Sequence, residues 1–127
     1  MGYDVDFVRV PHQGGKSLPI EVGAAQALVR RALPIDQPDL VRTTLLRLPG
    51  AKLGPNETVD YLGQGLSYAR LFVRKTAIHV DNNLNSKELL KIYSHLLDTL
   101  PDLLILDLQN GRLHDATSYA EWWSRPL

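Results

Sequence analysis

Residues 101–123, PDLLILDLQNGRLHDATSYAEWW, decide the fold class. Residues 103–108 form a nearly continuous apolar run, which suits a strand covered on both faces and the centre of a sheet. Asn110-Gly111 offers the two positive φ angles of a type I′ turn, and residues 112–114 are a short return strand. Asp115 caps a closing helix over residues 116–124. Tyr119, Trp122 and Trp123 share a face of that helix at i, i+3, i+4 spacing. The reading puts Trp122 in the core and leaves Trp123 partly exposed, where it can anchor an interface.

Upstream, residues 86–100 are the clearest helix. Asn85 is its cap, with Glu88 three residues on as in a capping box. Leu89, Ile92, Tyr93, Leu96, Leu97 and Leu100 make its apolar stripe, and Lys87, Lys91, Ser94, His95 and Asp98 its wet face. Burying the stripe contributes roughly 10 kcal/mol before entropy. Residues 66–73 and 77–82 form a hairpin around the turn Arg74-Lys75-Thr76. Tyr68, Arg70 and Phe72 alternate with Ala69, Leu71 and Val73, and His79 and Asp81 alternate with Ile78 and Val80.

The N-terminal half supplies the rest. Residues 3–10 are a half-buried strand that alternates over its first half, with Tyr3, Val5 and Phe7 opposite Asp4 and Asp6. Residues 11–15 are a loop. Residues 20–33 are predicted helical, with Ser17 as the cap, Pro19 in the first turn, and Val22, Ala25, Leu28, Val29 and Ala32 on one face. Arg30-Arg31 suit the negative end of its dipole. Pro34 stops it, and Asp36 caps a second helix with Leu40, Val41, Thr44, Leu45 and Leu48 on one face. The short connector predicts an antiparallel helix pair. Residues 49–65 are the longest irregular stretch, broken by a short strand at 58–62; long loops in compact domains are often functional.

These elements assemble into an α+β fold in the order β-α-α-β-β-α-β-β-α. Its sheet is mostly antiparallel, with helices mainly on one face. The helix between strands 77–82 and 103–108 leaves those two free to run parallel in a mixed sheet. The 127 residues form one domain, residues 1–127.

Composition narrows function by exclusion. With no cysteine, disulfides, thiol nucleophiles and thiolate metal sites are absent. Fourteen basic residues balance fourteen acidic ones, and neither half is basic, so nothing predicts a nucleic-acid coat. No apolar run is long enough to span a bilayer, and the first residues lack the basic and apolar regions of a signal peptide. A cytoplasmic protein with no membrane or nucleic-acid partner is expected.

Motifs for catalysis are missing. Gly15-Lys16-Ser17 lacks the earlier glycine of a phosphate loop, because that position is Val10. HExxH, GxSxG, CxxC and GxGxxG do not occur. His12 falls in a loop. His79 and Asp81 point the same way from one strand and could bind metal or exchange protons, given a third group from elsewhere. His114 and Asp115 with Asp107 or Gln109 form a second polar cluster, although Asp115 already serves as a cap. Tyr68, Arg70 and Phe72 form an aromatic–arginine–aromatic strand face able to take a partner. No catalytic residue, metal site or cofactor is predicted. The candidate partner-binding residues are Asp60, Tyr61, Tyr68, Arg70, His79, Asp81, Asp107, Gln109 and Trp123.

Asp107, Gln109, Asn110, Gly111, Leu113, Asp115, Tyr119 and Trp122-Trp123 carry a resemblance. A strand ending in an Asp-x-Gln-Asn-Gly turn, followed by an apolar residue, an Asp and an aromatic helix, resembles small cytosolic bacterial immunity proteins. The resemblance covers about the last 25 residues, and Leu108 stands where a proline often lies. It implies a non-catalytic protein that binds and neutralises a cognate secreted antibacterial toxin by covering its active site. Many toxins act on anionic nucleic acids or nucleotides, so such a blocker carries acidic groups; Asp4, Asp6, Asp60, Asp81, Asp107 and Asp115 are the available carboxylates. The alternative is a small metal- or ligand-binding, enzyme-like domain using His79 and Asp81 or the 49–65 loop. A homodimer joined through an uncovered sheet face or Trp123 is a third arrangement.

Overall fold

The computed structural model describes residues 4–10, 18–65 and 67–124. Among these, the chain runs β1 (Val5–Arg9), α1 (Val22–Val29), α2 (Pro38–Leu46), β2 (Ala51–Leu53), a 3-10 turn (Pro55–Glu57), β3 (Val59–Leu62), β4 (Tyr68–Val73), β5 (Ile78–Asn83), α3 (Ser86–Leu97), β6 (Leu103–Asp107), β7 (Leu113–His114) and α4 (Ala116–Trp123). The expected roles of Tyr3, the 11–15 loop with His12, the Ser17 cap, Leu66 and the chain end at 125–127 lie outside the described residues.

The strands form a single sheet in the order β2-β3-β4-β5-β1-β6-β7. Every neighbouring pair is antiparallel. The α+β class is as expected, but the sheet is larger than predicted. The short strand expected at 58–62 is β3, and within the stretch read as irregular a further strand, β2, pairs with it through Lys52 opposite Asp60 and extends the sheet.

The middle strand of the seven is β5, with β1 next to it. β1 lies between β5 and β6, pairing Phe7 with Ile78 on one side and with Ile105 on the other. Val5 and Phe7 enter the main core, while Val8 and Val10 enter a second core on the opposite face. Thus β1 is covered on both faces over its second half, rather than half-buried throughout. β6 is covered on both faces as its apolar run predicts, yet it is next to last in the sheet rather than central. Since β5 and β6 are each antiparallel to β1, they run parallel to one another, with β1 inserted between them.

α2, α3 and α4 pack on one face, through Val41, Leu45, Leu89, Ile92, Tyr93, Leu96 and Tyr119. α1 packs on the other, where Ala25 and Leu28 cover Val8, Leu104 and Leu113. The expected antiparallel pairing of the first two helices is therefore wrong. Their connector crosses the end of the sheet, held by Leu33 N–H to the Arg9 carbonyl at 2.8 Å and Ile35 N–H to the Lys75 carbonyl at 2.7 Å. Each helix has an apolar stripe that a sheet face buries more fully than another short helix would. α1 is also shorter than predicted, because Ile20 is taken by a bridge to Leu113. α2 begins after Gln37, not Asp36, with Pro38 at the first position.

α3 follows its sequence closely. Asn85 Oδ1 accepts from Glu88 N–H at 2.9 Å, the predicted cap. Glu88 does not complete the box; its Oε1 accepts from Gln64 N–H at 3.1 Å. The Tyr93 hydroxyl donates to the Leu103 carbonyl at 2.5 Å, tying helix to sheet. His95, expected on the wet face, hydrogen-bonds the Thr44 carbonyl at the end of α2 through Nε2, at 2.7 Å.

The turn after β6 departs from type I′. Gly111 has φ +74°, while Asn110 is not in the left-handed region. Asp107 Oδ1 accepts from Gln109 N–H at 2.8 Å and from Asn110 N–H at 3.3 Å, and Gly111 N–H reaches the Asp107 carbonyl at 2.7 Å. An aspartate that captures the following amides favours this longer turn, which needs only the one glycine. Asp115 caps α4 as predicted, accepting from Ser118 N–H at 2.8 Å. Both tryptophans are half-buried: Trp123, partly exposed as expected, packs against the main core beside Tyr119, while Trp122 is not in the core but lies between His114 and the guanidinium of Arg112. Among the described residues, no helix is long and apolar enough to cross a membrane.

Candidate functional site

Strand alternation divides the residues of β2–β5 between two faces. Val59, Tyr61, Ala69, Leu71, Ile78 and Val80 point into the main core. Their neighbours point the other way, on the side of α1. That helix packs over the β1-β6-β7 half; on the outer face of β3, β4 and β5, Asp60 is buried, Tyr68, Arg70, Phe72 and His79 are half-buried, and Leu62 and Asp81 are exposed.

The register arranges this open face in rows across the strands. One row runs Lys52, Asp60, Arg70, Asp81. It continues to Asp4, the residue before Val5, which itself pairs with Val80. A second runs Phe72, His79, Asp6. A third holds Leu62, Tyr68 and Asn83. Leu62 is 54% exposed, an apolar side chain left in solvent on this face.

Charges in the first row are fixed in place. Arg70 donates Nε to Asp60 Oδ1 at 2.7 Å and Nη2 to Oδ2 at 3.1 Å. The Tyr68 hydroxyl adds a longer bond to Asp60 Oδ1 at 3.4 Å. This two-point fork holds the Asp60 carboxyl below its usual range and raises the Arg70 guanidinium. Burial, reinforced by Asp60, pushes Tyr68 up. Asp60 also sits against Gly54, where a Cβ would stand 2.9 Å from Asp60 Oδ1 and 2.6 Å from Thr58 Oγ1. Asp81, opposite Arg70, remains exposed.

His79 is held by β1. Its Nδ1 lies 2.7 Å from Asp6 Oδ1, and its Nε2 lies 3.7 Å from Asp4 Oδ2. A carboxylate accepts, so Nδ1 carries the proton of the shorter bond. Phe72 packs beside the imidazole at 5.8 Å, and Arg74 lies over the Phe72 ring at 5.6 Å. The His79 partners are thus Asp6 and Asp4, not the Asp81 two residues along its own strand.

Of the residues singled out in the sequence, Asp60, Tyr68, Arg70, His79 and Asp81 come together on this face. Tyr61 belongs to the opposite face and is buried in the main core. Gln109 is exposed in the turn after β6, and Trp123 packs on the main core. Asp107 is fully buried, with Oδ1 engaged by the turn amides. Sequence reasoning saw Asp4 and Asp6 as outward carboxylates but could not bring them to His79, since only the pairing of β1 with β5 does so. Lys52 was missed because its strand was read as loop; Leu62 ends the strand expected at 58–62 but was not singled out, although the alternation Val59, Asp60, Tyr61, Leu62 places it on the outer face.

The second polar cluster is interior. His114 is 0% exposed, and its Nδ1 lies 2.9 Å from the Ser118 hydroxyl. Burial pushes its pKa down, against opposing pulls from Asp107 and Asp115. Tyr119 meets the imidazole edge-on at 5.8 Å. Ser118 and His114 hold α4 to β7. Among the described residues, no group of three or more histidine, aspartate and glutamate side chains is arranged to hold a metal ion.

Comparisons of the chain with protein-family models, with curated proteins and with solved structures find no match.

Proposed function

We propose that this chain is a non-catalytic cytoplasmic binding protein that presents the open face of β3–β5 and β1 to a protein partner. We assign the partner, as the C-terminal resemblance implies, to the secreted antibacterial toxins, and the activity to neutralisation of the toxin by covering its active site. The observation that carries the reading is this sheet face with its fixed fork and its carboxylates. Asp60 and Arg70 neutralise each other, which leaves Asp4, Asp6 and Asp81 as carboxylates near His79, with Lys52 and Arg74 the cations at the rim of the face. Such a patch complements the basic cleft of an enzyme that acts on nucleic acid or nucleotides. Tyr68, Phe72 and Leu62 supply the contact area that charge alone does not.

Co-expression of the chain with the products of its neighbouring genes tests the proposal. A neighbour that is toxic alone, is silenced by this chain and is recovered with it in a one-to-one complex is the expected result. Neighbours that are harmless alone and form no complex would sink the toxin assignment. Asp81→Lys reverses an exposed charge; it is expected to weaken the complex about tenfold or more while leaving the thermal midpoint unchanged. The metal- or ligand-binding alternative would instead show stoichiometric metal in the purified protein, lost on His79→Ala.

A further inference from the structure

The open face does not end at β1. The row Phe72, His79, Asp6 meets Leu106 of β6 as its next cross-strand neighbour. Leu106 belongs to a cleft of about 330 Å³, whose other lining residues include Val29, Gln26 and Arg30 on the α1 side and Leu108 beyond the end of β6. The Leu108 amide donates to the Asp4 carbonyl at 3.3 Å, so the row Asp81, Asp4 reaches the same place. The cleft is therefore the deep end of the open face, with α1 as its wall.

Its chemistry is uneven from side to side. Val29, Leu106 and Leu108 give it an apolar patch, set beside Gln26, Arg30, Gly111 and the buried carboxyl of Asp107, and Leu108 is left 45% exposed at the cleft. Toward the sheet, the adjoining side chains are the carboxylates Asp6 and Asp4, with Asp81 one strand further. Across the cleft stands Arg30, which makes no salt bridge to any described residue. A volume at the lower end of the range for binding pockets suits one large side chain.

We infer that this cleft receives a single large apolar side chain of the protein partner, carried in a segment whose flanking residues are lysine or arginine. The anchor displaces water from Val29, Leu106 and Leu108. The flanking cations meet Asp4, Asp6 and Asp81, and a backbone carbonyl of the same segment meets Arg30. The inference rests on the open face taking a protein partner, and not on that partner being a toxin.

Methyl and amide NMR titrations with two blocked tripeptides test it: Ac-Arg-Trp-Arg-NH2 and Ac-Glu-Trp-Glu-NH2. The basic peptide is expected to shift the Val29, Leu106 and Leu108 methyl signals saturably, with half-saturation on the order of 1 mM, as befits a single anchor. The acidic peptide is expected to bind about tenfold more weakly. Leu108→Ser, at an exposed position, should weaken the basic peptide without moving the thermal midpoint. Asp81→Asn should narrow the gap between the two peptides. Equal affinities, saturable shifts confined to other surfaces, or no saturable shift of these methyls overturns the inference. A neighbouring toxin that binds while the peptides do not defeats this inference alone. Peptide binding with no toxic neighbour defeats the toxin assignment alone.

Discussion

At the scale of single residues, two buried or forked groups give the protein two distinct acid responses. His114 is enclosed and its folded pKa is lowered, so the native state resists its protonation. This contribution to stability is complete above the ordinary value of 6.5 and is lost as pH falls from there through the lower folded pKa. Asp60, lowered by its fork with Arg70, acts later: its contribution is complete above 3.8 and is lost as pH falls through its own lower folded pKa. Thermal unfolding followed from pH 7 to 5 should therefore show a falling midpoint, and His114→Gln should flatten that portion of the curve. An unchanged slope in the variant would remove His114 as the cause. Gly63 supports a second prediction. A Cβ there would overlap Glu88 Oε2, so Gly63→Ala should destabilise by about 1–3 kcal/mol through displacement of the buried carboxylate. Glu88→Ala removes the obstacle, and the double variant should recover part of the loss relative to the sum of the two. Strict additivity in chemical denaturation would contradict the close approach.

Among elements, the contrast is between α3 and α1. α3 buries Leu89, Ile92, Tyr93 and Leu96, has a side-chain cap and donates a hydroxyl bond to β6. Those four side chains alone contribute roughly 6–12 kcal/mol before entropy. α1 buries Ala25 and Leu28 and has no side-chain cap. Local opening follows such differences, so amide exchange should be markedly faster throughout α1 than in α3, and Asn85→Ala should cost about 1 kcal/mol. Equal protection of the two helices would refute the ranking. The helices also show what sequence reaches. The Asn85 and Asp115 caps, the apolar stripe of α3 and the β4–β5 hairpin were all legible, because each depends on residues within a few positions of one another. The turn at Asp107 was misread for a local reason as well: Asn110-Gly111 signals type I′, but Asp107 competes for the same amides and wins them.

For the whole molecule, the decisive feature is the insertion of β1. It pairs with β5, some seventy residues away, and with β6, about a hundred away. Such distant pairing is slow to form because the chain must close long loops before contacts reward it. A chain lacking residues 1–10 should leave β5 and β6 without the strand between them and lose cooperative unfolding; a truncated protein that unfolds cooperatively with an unchanged midpoint would overturn this account of the sheet. The same insertion makes the candidate site. Asp4 and Asp6 reach His79 only through β1, and Leu106 joins the open face only across β1. By itself the sequence determined the α+β class, most helix and strand positions, the caps of α3 and α4 and which side chains of each strand share a face, since these follow from periods of 2 and 3.6 and from hydrogen bonds a few residues long. Tertiary structure alone decided the order of the strands, the separation of α1 from α2, the exposure of the β3–β5 face and the exchange of Asp81 for Asp6 as the His79 partner. Those outcomes depend on which distant apolar surfaces bury one another best, and local periodicity carries no record of that competition.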